Sequence, residues 1–347
     1  MQGRFQGACF AFGVGLLVIG CGSNRVTSSA ASGSASPATA ASAANQPVLG
    51  YAWDSSHSGF RAMLGVPGAA SLSNSVVRQG SFTSATFCQR KSFALLSNST
   101  GSVYALSLPG GAPVLLTAQV GGSEQIAVSP SCSRALIYQP GTSSGLLVSD
   151  LPSTPQMETL SFSTSGSIAT AAVGDMGDVA LAVVRSDGST VLQLLPSSGS
   201  MSSPMLNLQN YGAMTFVPGG ETILVADAGA NQLWMVGPSL PAKQLASAND
   251  GISLPLAIAS SADGRMAFVA NRTGIPLLRI DLVTNTAPAK VACACKPSEL
   301  IPLAGNAIFQ ISELSSGTLY ALDASQAIPK TLFIPAGRSV NVTAAWQ

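Results

Sequence analysis

The chain has 347 residues, 9% of them charged and 46% apolar, with a formal net charge of +1. This length suits one large all-β domain or two average ones, and the charge balance gives no support for nucleic acid or a charged polymer as partner. Long Glu/Lys/Leu-rich helical segments are missing, and a single histidine, His57, would have to anchor any catalytic triad or zinc site.

The chain opens with mostly polar or small residues and one cation, Arg4, followed by an apolar run from Ala8 to Ile19 and then Gly20-Cys21. The run is shorter than the ~20 residues needed to cross a bilayer and matches the core of a signal peptide. Val18-Ile19-Gly20-Cys21 resembles the lipobox of bacterial lipoproteins, with Val where Leu is usual. The resemblance implies cleavage before Cys21 and lipidation of its thiol; an ordinary signal peptide with a chance cysteine is the alternative. Gly22 rather than Asp follows, so the outer membrane is favoured over the inner. The signal then spans 1–20 and a Ser/Ala-rich tether 21–46, too poor in apolar surface to offset the entropy of ordering.

From residue 47 a repeat takes over. Aliphatic strands recur around positions 104, 147, 191, 234, 278 and 320, in steps of 43, 44, 43, 44 and 42. Phe60-Arg61-Ala62-Met63 is an earlier copy, making seven. A period near 43 is the length of a four-stranded propeller blade. A second series of small-residue strands runs ahead of these: Thr83–Phe87, Gln125–Pro130, Ile168–Val173, Ala213–Pro218, Leu256–Ser260 and Leu300–Leu303. Its seventh member is at the far end, Val340–Trp346, whereas the first unit has only the tether ahead of it. The expected fold is therefore an all-β, seven-bladed β-propeller over 47–347, its ring closed by the C-terminal strand pairing in the first blade. A transmembrane barrel would not repeat in four-strand units, and a β-helix would have a shorter period.

Ser260 to Arg272 (Ser-Ser-Ala-Asp-Gly-Arg-Met-Ala-Phe-Val-Ala-Asn-Arg), continuing through Leu278-Arg279-Ile280-Asp281-Leu282, resembles the YVTN-type repeat of bacterial surface-layer-like and lactonase-like propellers. Phe216 to Asp227 is a looser copy. The resemblance implies the fold; its motif is structural and names no function.

Beyond Cys9 in the signal and Cys21, four cysteines remain, an even number suited to disulfides in an exported protein. Cys88 and Cys132 are one period apart, so they should meet on matching turns of neighbouring blades. Cys293-Ala294-Cys295 would place its Cα atoms near the ~6.8 Å limit for a bridge in a regular strand. A disulfide there needs a bend, which Lys296-Pro297 permits; metal binding by the pair is the competing reading.

Loop residues able to face a central channel are Asp54, His57, Asp227, Asn231, Asn271, Arg272, Glu299 and Glu313. A lactonase-like hydrolase would gather Asp227, Asn271 and Glu299 or Glu313 around one metal, calcium being the ion for such oxygen donors. Asp227 and Asn271 are one period apart, and both also suit strand ends as turn residues. Trp53 and Trp346 fall on the two strands expected to pair at the closure, where packing explains them better than ligand stacking. The leading expectation is a monomeric, non-enzymatic binding or scaffold module, lipid-anchored in the cell envelope, without cofactor and with envelope proteins as partners. A hydrolase at the channel is the second expectation, and an envelope assembly component the third.

Overall fold

The computed structural model describes residues 46–74, 81–117, 124–284, 286–314 and 319–336. The expected signal, nearly all of the tether and the closing strand 340–346 lie outside the described residues.

Short aliphatic runs broken by Gly, Pro, Asp and Ser cannot support long elements. Strands of the described residues accordingly span two to eight residues. They form seven separate antiparallel sheets, six of four strands and one of three, each built from consecutive strands in meander order. This is a seven-bladed β-propeller; seven separate sheets rule out a single closed barrel. Every position of the 43-residue series falls on the third strand of its blade, as with Val103–Ser107 in the second blade and Leu277–Asp281 in the sixth. The small-residue series forms the innermost strands: Phe82–Cys88, Gln125–Val128, Gly166–Val173, Tyr211–Phe216, Pro255–Ser260 and Ile301–Pro302.

The three-stranded sheet is the first blade. Its strands are Val48–Asp54, Gly59–Leu64 and Ser71–Leu72. Gly59–Leu64 lies one period before the third strand of the second blade. Val48–Asp54 is thus a second strand, and the inner position holds none of the described residues.

Second strands read as unbroken apolar runs, such as Val179-Ala180-Leu181-Ala182-Val183, because both of their faces are buried. Alternate side chains point to opposite neighbours. In the fifth blade Leu224 and Ala226 pack toward the sixth, while Ile223 and Val225 pack toward the fourth. Seven apolar clusters result, one between each pair of adjacent blades, including the first and the last. Buried phenylalanines such as Phe93, Phe268 and Phe309 anchor these seams, each side chain worth about 2–3 kcal/mol of burial. Outer strands are edges. Those of the third, fifth, sixth and seventh blades expose Glu158, Lys243, Lys290 and Lys330, charges that discourage edge-to-edge pairing.

The turns joining first to second strands share one face of the ring, and there the blades are stitched together. Gln89 Nε2 donates to the Tyr51 carbonyl at 3.0 Å, and Arg90 Nη1 to that of Pro130 at 3.0 Å. Cys88 is bonded to Cys132. The Asp175 carboxylate accepts the Ser131 N–H at 2.8 Å on one side and the Gly219 N–H at 2.9 Å on the other, joining three blades. Gly264 packs on Val217 and Pro218. Asp263 and Asn306 exchange two hydrogen bonds of 2.9 Å, and Ala304 N–H reaches the Leu49 carbonyl at 2.9 Å. The seam between last and first blades has one more backbone bond, from Leu72 N–H to the Pro335 carbonyl at 2.9 Å. Gly50 keeps this seam close: a Cβ there would stand 2.6 Å from Leu303 Cδ2, so that a larger residue would make the buried Leu303 side chain shift.

Candidate functional site

Asp227 and Asn271 occupy matching positions, as their spacing implied, and both hold backbone. Asp227 is the buried last residue of its strand. Its carboxylate accepts the N–H groups of Gln209, Asn210, Gly229 and Ala230 at 2.8–3.1 Å. Asn271, equally buried, accepts the Ser253 N–H at 3.1 Å and donates to the carbonyls of Gly251 and Ile275 at 2.9 and 2.7 Å. Asn98 does the same one period after Asp54, binding the N–H groups of Thr100 and Ser102. These side chains tie the end of the second strand to the turn that follows it and, for Asp227 and Asn271, also to the connector that enters the blade. Replacing Asp227 with Asn puts an amide against donors that need an acceptor. We expect a loss of about 2–3 kcal/mol in urea unfolding, with no added sensitivity to a chelator.

Asp54 shows the same position with a different partner set. Burial opposes its ionisation, but hydrogen bonds from Ser56, His57 and Arg61, together with the Arg61 charge, hold its carboxyl well below the usual carboxylate range. The His57 Nδ1 contact is 2.9 Å and the Arg61 Nε contact 2.7 Å. Both Ser56 and Asp54 meet Nδ1, on one side of the ring; a relay through the imidazole would need them on opposite nitrogens. Asn231 Oδ1 accepts the Leu254 N–H at 2.7 Å, and Arg272 N–H donates to the Leu254 carbonyl at 3.0 Å, so both belong to the same loop packing.

Three cavities open along the inner strands, one of about 290 Å³ walled by the third, fourth and fifth blades between Ala127, Thr170 and Met214, and two nearer the first blade. Of these two, the first, of about 210 Å³, lies at the stitched face and is walled by Phe87, Val128, Ile258, Leu300 and Ile301, with the Cys88–Cys132 bridge at its edge. The second, of about 190 Å³, lies toward the opposite face and is lined by Trp53, Phe87, Ile301, Glu299, Gln310 and Glu313. Glu299 and Glu313 therefore share a cavity, while Asp227 and Asn271 are not among its lining residues. Glu299 Oε1 accepts Gln310 Nε2 at 2.6 Å. Burial pushes the Glu299 carboxyl up to about 7; the Gln310 hydrogen bond works against this shift and the nearby charge of Glu313 adds to it. Gln310 also donates to the Ser312 carbonyl, but its buried Oε1 has no partner among the described residues. Gln310 was not singled out from sequence. Its cue is the pairing Ile301↔Gln310, which lays it beside the connector carrying Glu299.

Both cysteine pairs are bonded. Cys88 ends its inner strand and Cys132 lies on the equivalent turn of the next blade, with Cα atoms 5.9 Å apart. Cys293 and Cys295 sit outside any strand, where the bend brings their Cα atoms to 5.1 Å. A bonded pair has no thiolate to offer a metal, so the metal reading of Cys293 and Cys295 gives way to the disulfide.

No protein-family model matches the chain, and no curated protein matches it in sequence. Solved structures do. A Lactobacillus plantarum protein is 14% identical, with 84% of this chain and 96% of that one covered at a TM-score of 0.54. A functionally unknown protein from Desulfotomaculum acetoxidans is 14% identical, covering 84% and 100%, at 0.52. A putative 6-phosphogluconolactonase from Bacteroides fragilis is 10% identical, covering 83% and 94%, at 0.53. Likeness at this level establishes the propeller fold alone.

Proposed function

We propose that this protein is a lipid-anchored cell-envelope β-propeller that acts as a non-enzymatic binding or scaffold module, held at the outer membrane through Cys21 and the tether 21–46. The observation that carries this reading is the commitment of Asp227 and Asn271. A lactonase-type site, which the name of the Bacteroides fragilis neighbour brings forward, would need both side chains turned to a ligand. Here they are bonded to seven backbone groups in all. Releasing them would cost the loops that they hold. The rigid ring presents its binding surface to envelope proteins, and the tether sets its reach.

Two measurements test this. Cys21→Ser is expected to move the protein from the membrane fraction to the soluble envelope fraction. Retention in the membrane would end the lipid-anchor reading. The purified chain, assayed against a panel of lactones with and without calcium, is expected to give no turnover above the uncatalysed rate. Calcium-dependent hydrolysis lost in Glu299→Gln would replace the scaffold reading with the hydrolase.

A further inference from the structure

The third strand of each blade turns one central side chain toward the blade before it. In the first, second, fifth, sixth and seventh blades that side chain is Met63, Leu106, Val236, Ile280 and Leu322, each buried in an apolar seam. In the third it is the partly exposed Ser149. In the fourth it is Gln193. Val191, two residues earlier, packs against the third blade, so Gln193 faces the same way. Gln193 is only 7% exposed, and its Oε1 has no partner among the described residues. Its Nε2 reaches the Ser202 carbonyl at 3.5 Å, the long limit for such a bond. A buried acceptor without a donor is a cost that Leu or Val at this place would not carry. The amide is loosely held, so a donor from outside the chain can turn its oxygen outward.

Such a donor has a place to sit. Gln193 lies at the floor of a groove of about 440 Å³ on the outside of the seam between the third and fourth blades. Ser161 and Ser163 of the third blade form one wall. The other is the connector from Pro196 to Met205, the longest link between third and fourth strands in the ring. This connector is pinned at Ser202, whose N–H donates to the Leu194 carbonyl at 2.7 Å and whose Oγ accepts the Leu194 N–H at 2.9 Å. Both backbone groups of Leu194 are thereby spent, which closes this edge to β-addition by a peptide.

The chemistry of the walls selects the ligand. No charged side chain is among the residues lining the groove, so an ion finds no counter-charge there. Ser161, Ser163, Ser200 and Ser203 present hydroxyls, each able to donate and to accept. Gln193 Oε1 can only accept. Leu195, Met201 and Pro204 add an apolar strip.

We propose that this groove binds a neutral carbohydrate. One sugar hydroxyl donates to Gln193 Oε1, others exchange hydrogen bonds with the serines, and the C–H face of the ring rests on Leu195 and Met201. The site does not depend on the lipid anchor and gives the scaffold a ligand of its own.

Titration of the purified full chain with neutral trisaccharides of glucose, galactose, mannose and N-acetylglucosamine, read by calorimetry and saturation-transfer NMR, tests this. At least one is expected to bind saturably. Gln193→Leu installs the residue that the second and seventh blades carry at this place. It is expected to weaken binding about tenfold, as for one lost hydrogen bond, while the Tm stays level or rises. Ser163→Ala combined with Ser200→Ala, at exposed positions, is expected to weaken binding with the Tm unmoved. A panel without saturable binding overturns the proposal. So does binding that Gln193→Leu leaves unchanged, or binding confined to acidic sugars run beside the panel. Should Gln193→Leu lower the Tm, the serine variant decides: weakened binding upholds the site, and full binding assigns Gln193 to holding the connector and overturns it.

Discussion

Replacing Cys88 and Cys132 together with alanine is expected to destabilise the propeller by about 4 kcal/mol, the loop-closure value for a crosslink between residues 44 apart. The bridge restrains the unfolded chain over a whole blade. In the folded state it fixes the turn of the second blade to that of the third, at the edge of a cavity and inside the apolar seam with Phe93, Ala135 and Ile137. The other disulfide makes the internal control. Cys293 and Cys295 enclose a single residue, and the same relation gives only about 1.5 kcal/mol for so small a ring. Urea unfolding of the two double-alanine variants, compared with the unaltered chain, should separate by more than a factor of two. Equal losses would mean that the blade-spanning bridge acts through local packing and not through chain restraint.

Glu299→Gln is expected to stabilise the protein at alkaline pH and to leave it unchanged in acid. The folded chain holds the Glu299 proton up to about pH 7, against an ordinary value of 4.5. The folded state therefore binds this proton more tightly than the unfolded one. Its contribution is full below pH 4.5 and is lost as pH rises through 7. Over that window the loss amounts to about 3 kcal/mol. Glutamine does not titrate, so the variant escapes the loss. Thermal unfolding at pH 4 should give matching Tm values, and at pH 8 the variant should melt several degrees higher. A Tm difference independent of pH would show that Glu299 titrates as an ordinary carboxylate.

The fold was legible in the sequence because a propeller repeats its mistakes as well as its strands. Each blade must return to the axis after the same length of chain. The spacing of Tyr104, Leu147, Val191, Trp234, Leu278 and Tyr320 therefore survives even where residue identities do not. The same spacing brought Cys88 to Cys132. It also put Asp227 and Asn271 at matching places on adjacent blades, but spacing says nothing of direction. Whether a side chain at a strand end turns to the axis or back onto its own loop depends on the connectors, and Gly229, Ala230 and Ser253 decided that. Glu299 and Glu313 were recognisable only as loop carboxylates. Their shared cavity depends on Gln310, a residue whose polarity matters because its counterparts Leu224 and Phe268 are apolar. That comparison requires the register of the second strands, which strand pairing supplies and periodicity alone does not.

The stitching of one face has a mechanical meaning. Bonds at Cys88–Cys132, Ser131–Asp175–Gly219 and Asp263–Asn306 pin the blades at one rim, as the rivet of a folding fan pins its ribs. The loops at the other rim fasten to their own blade through Asn98, Asp227 and Asn271 and, among the described residues, cross to the next blade only by single bonds such as Gly141 N–H to the Ile168 carbonyl and Leu254 N–H to Asn231 Oδ1. Insertions there would lengthen one rib without changing the angle between its neighbours. A load applied to one blade is therefore shared with its neighbours chiefly through the stitched rim, where a covalent bond and paired hydrogen bonds cross the seams.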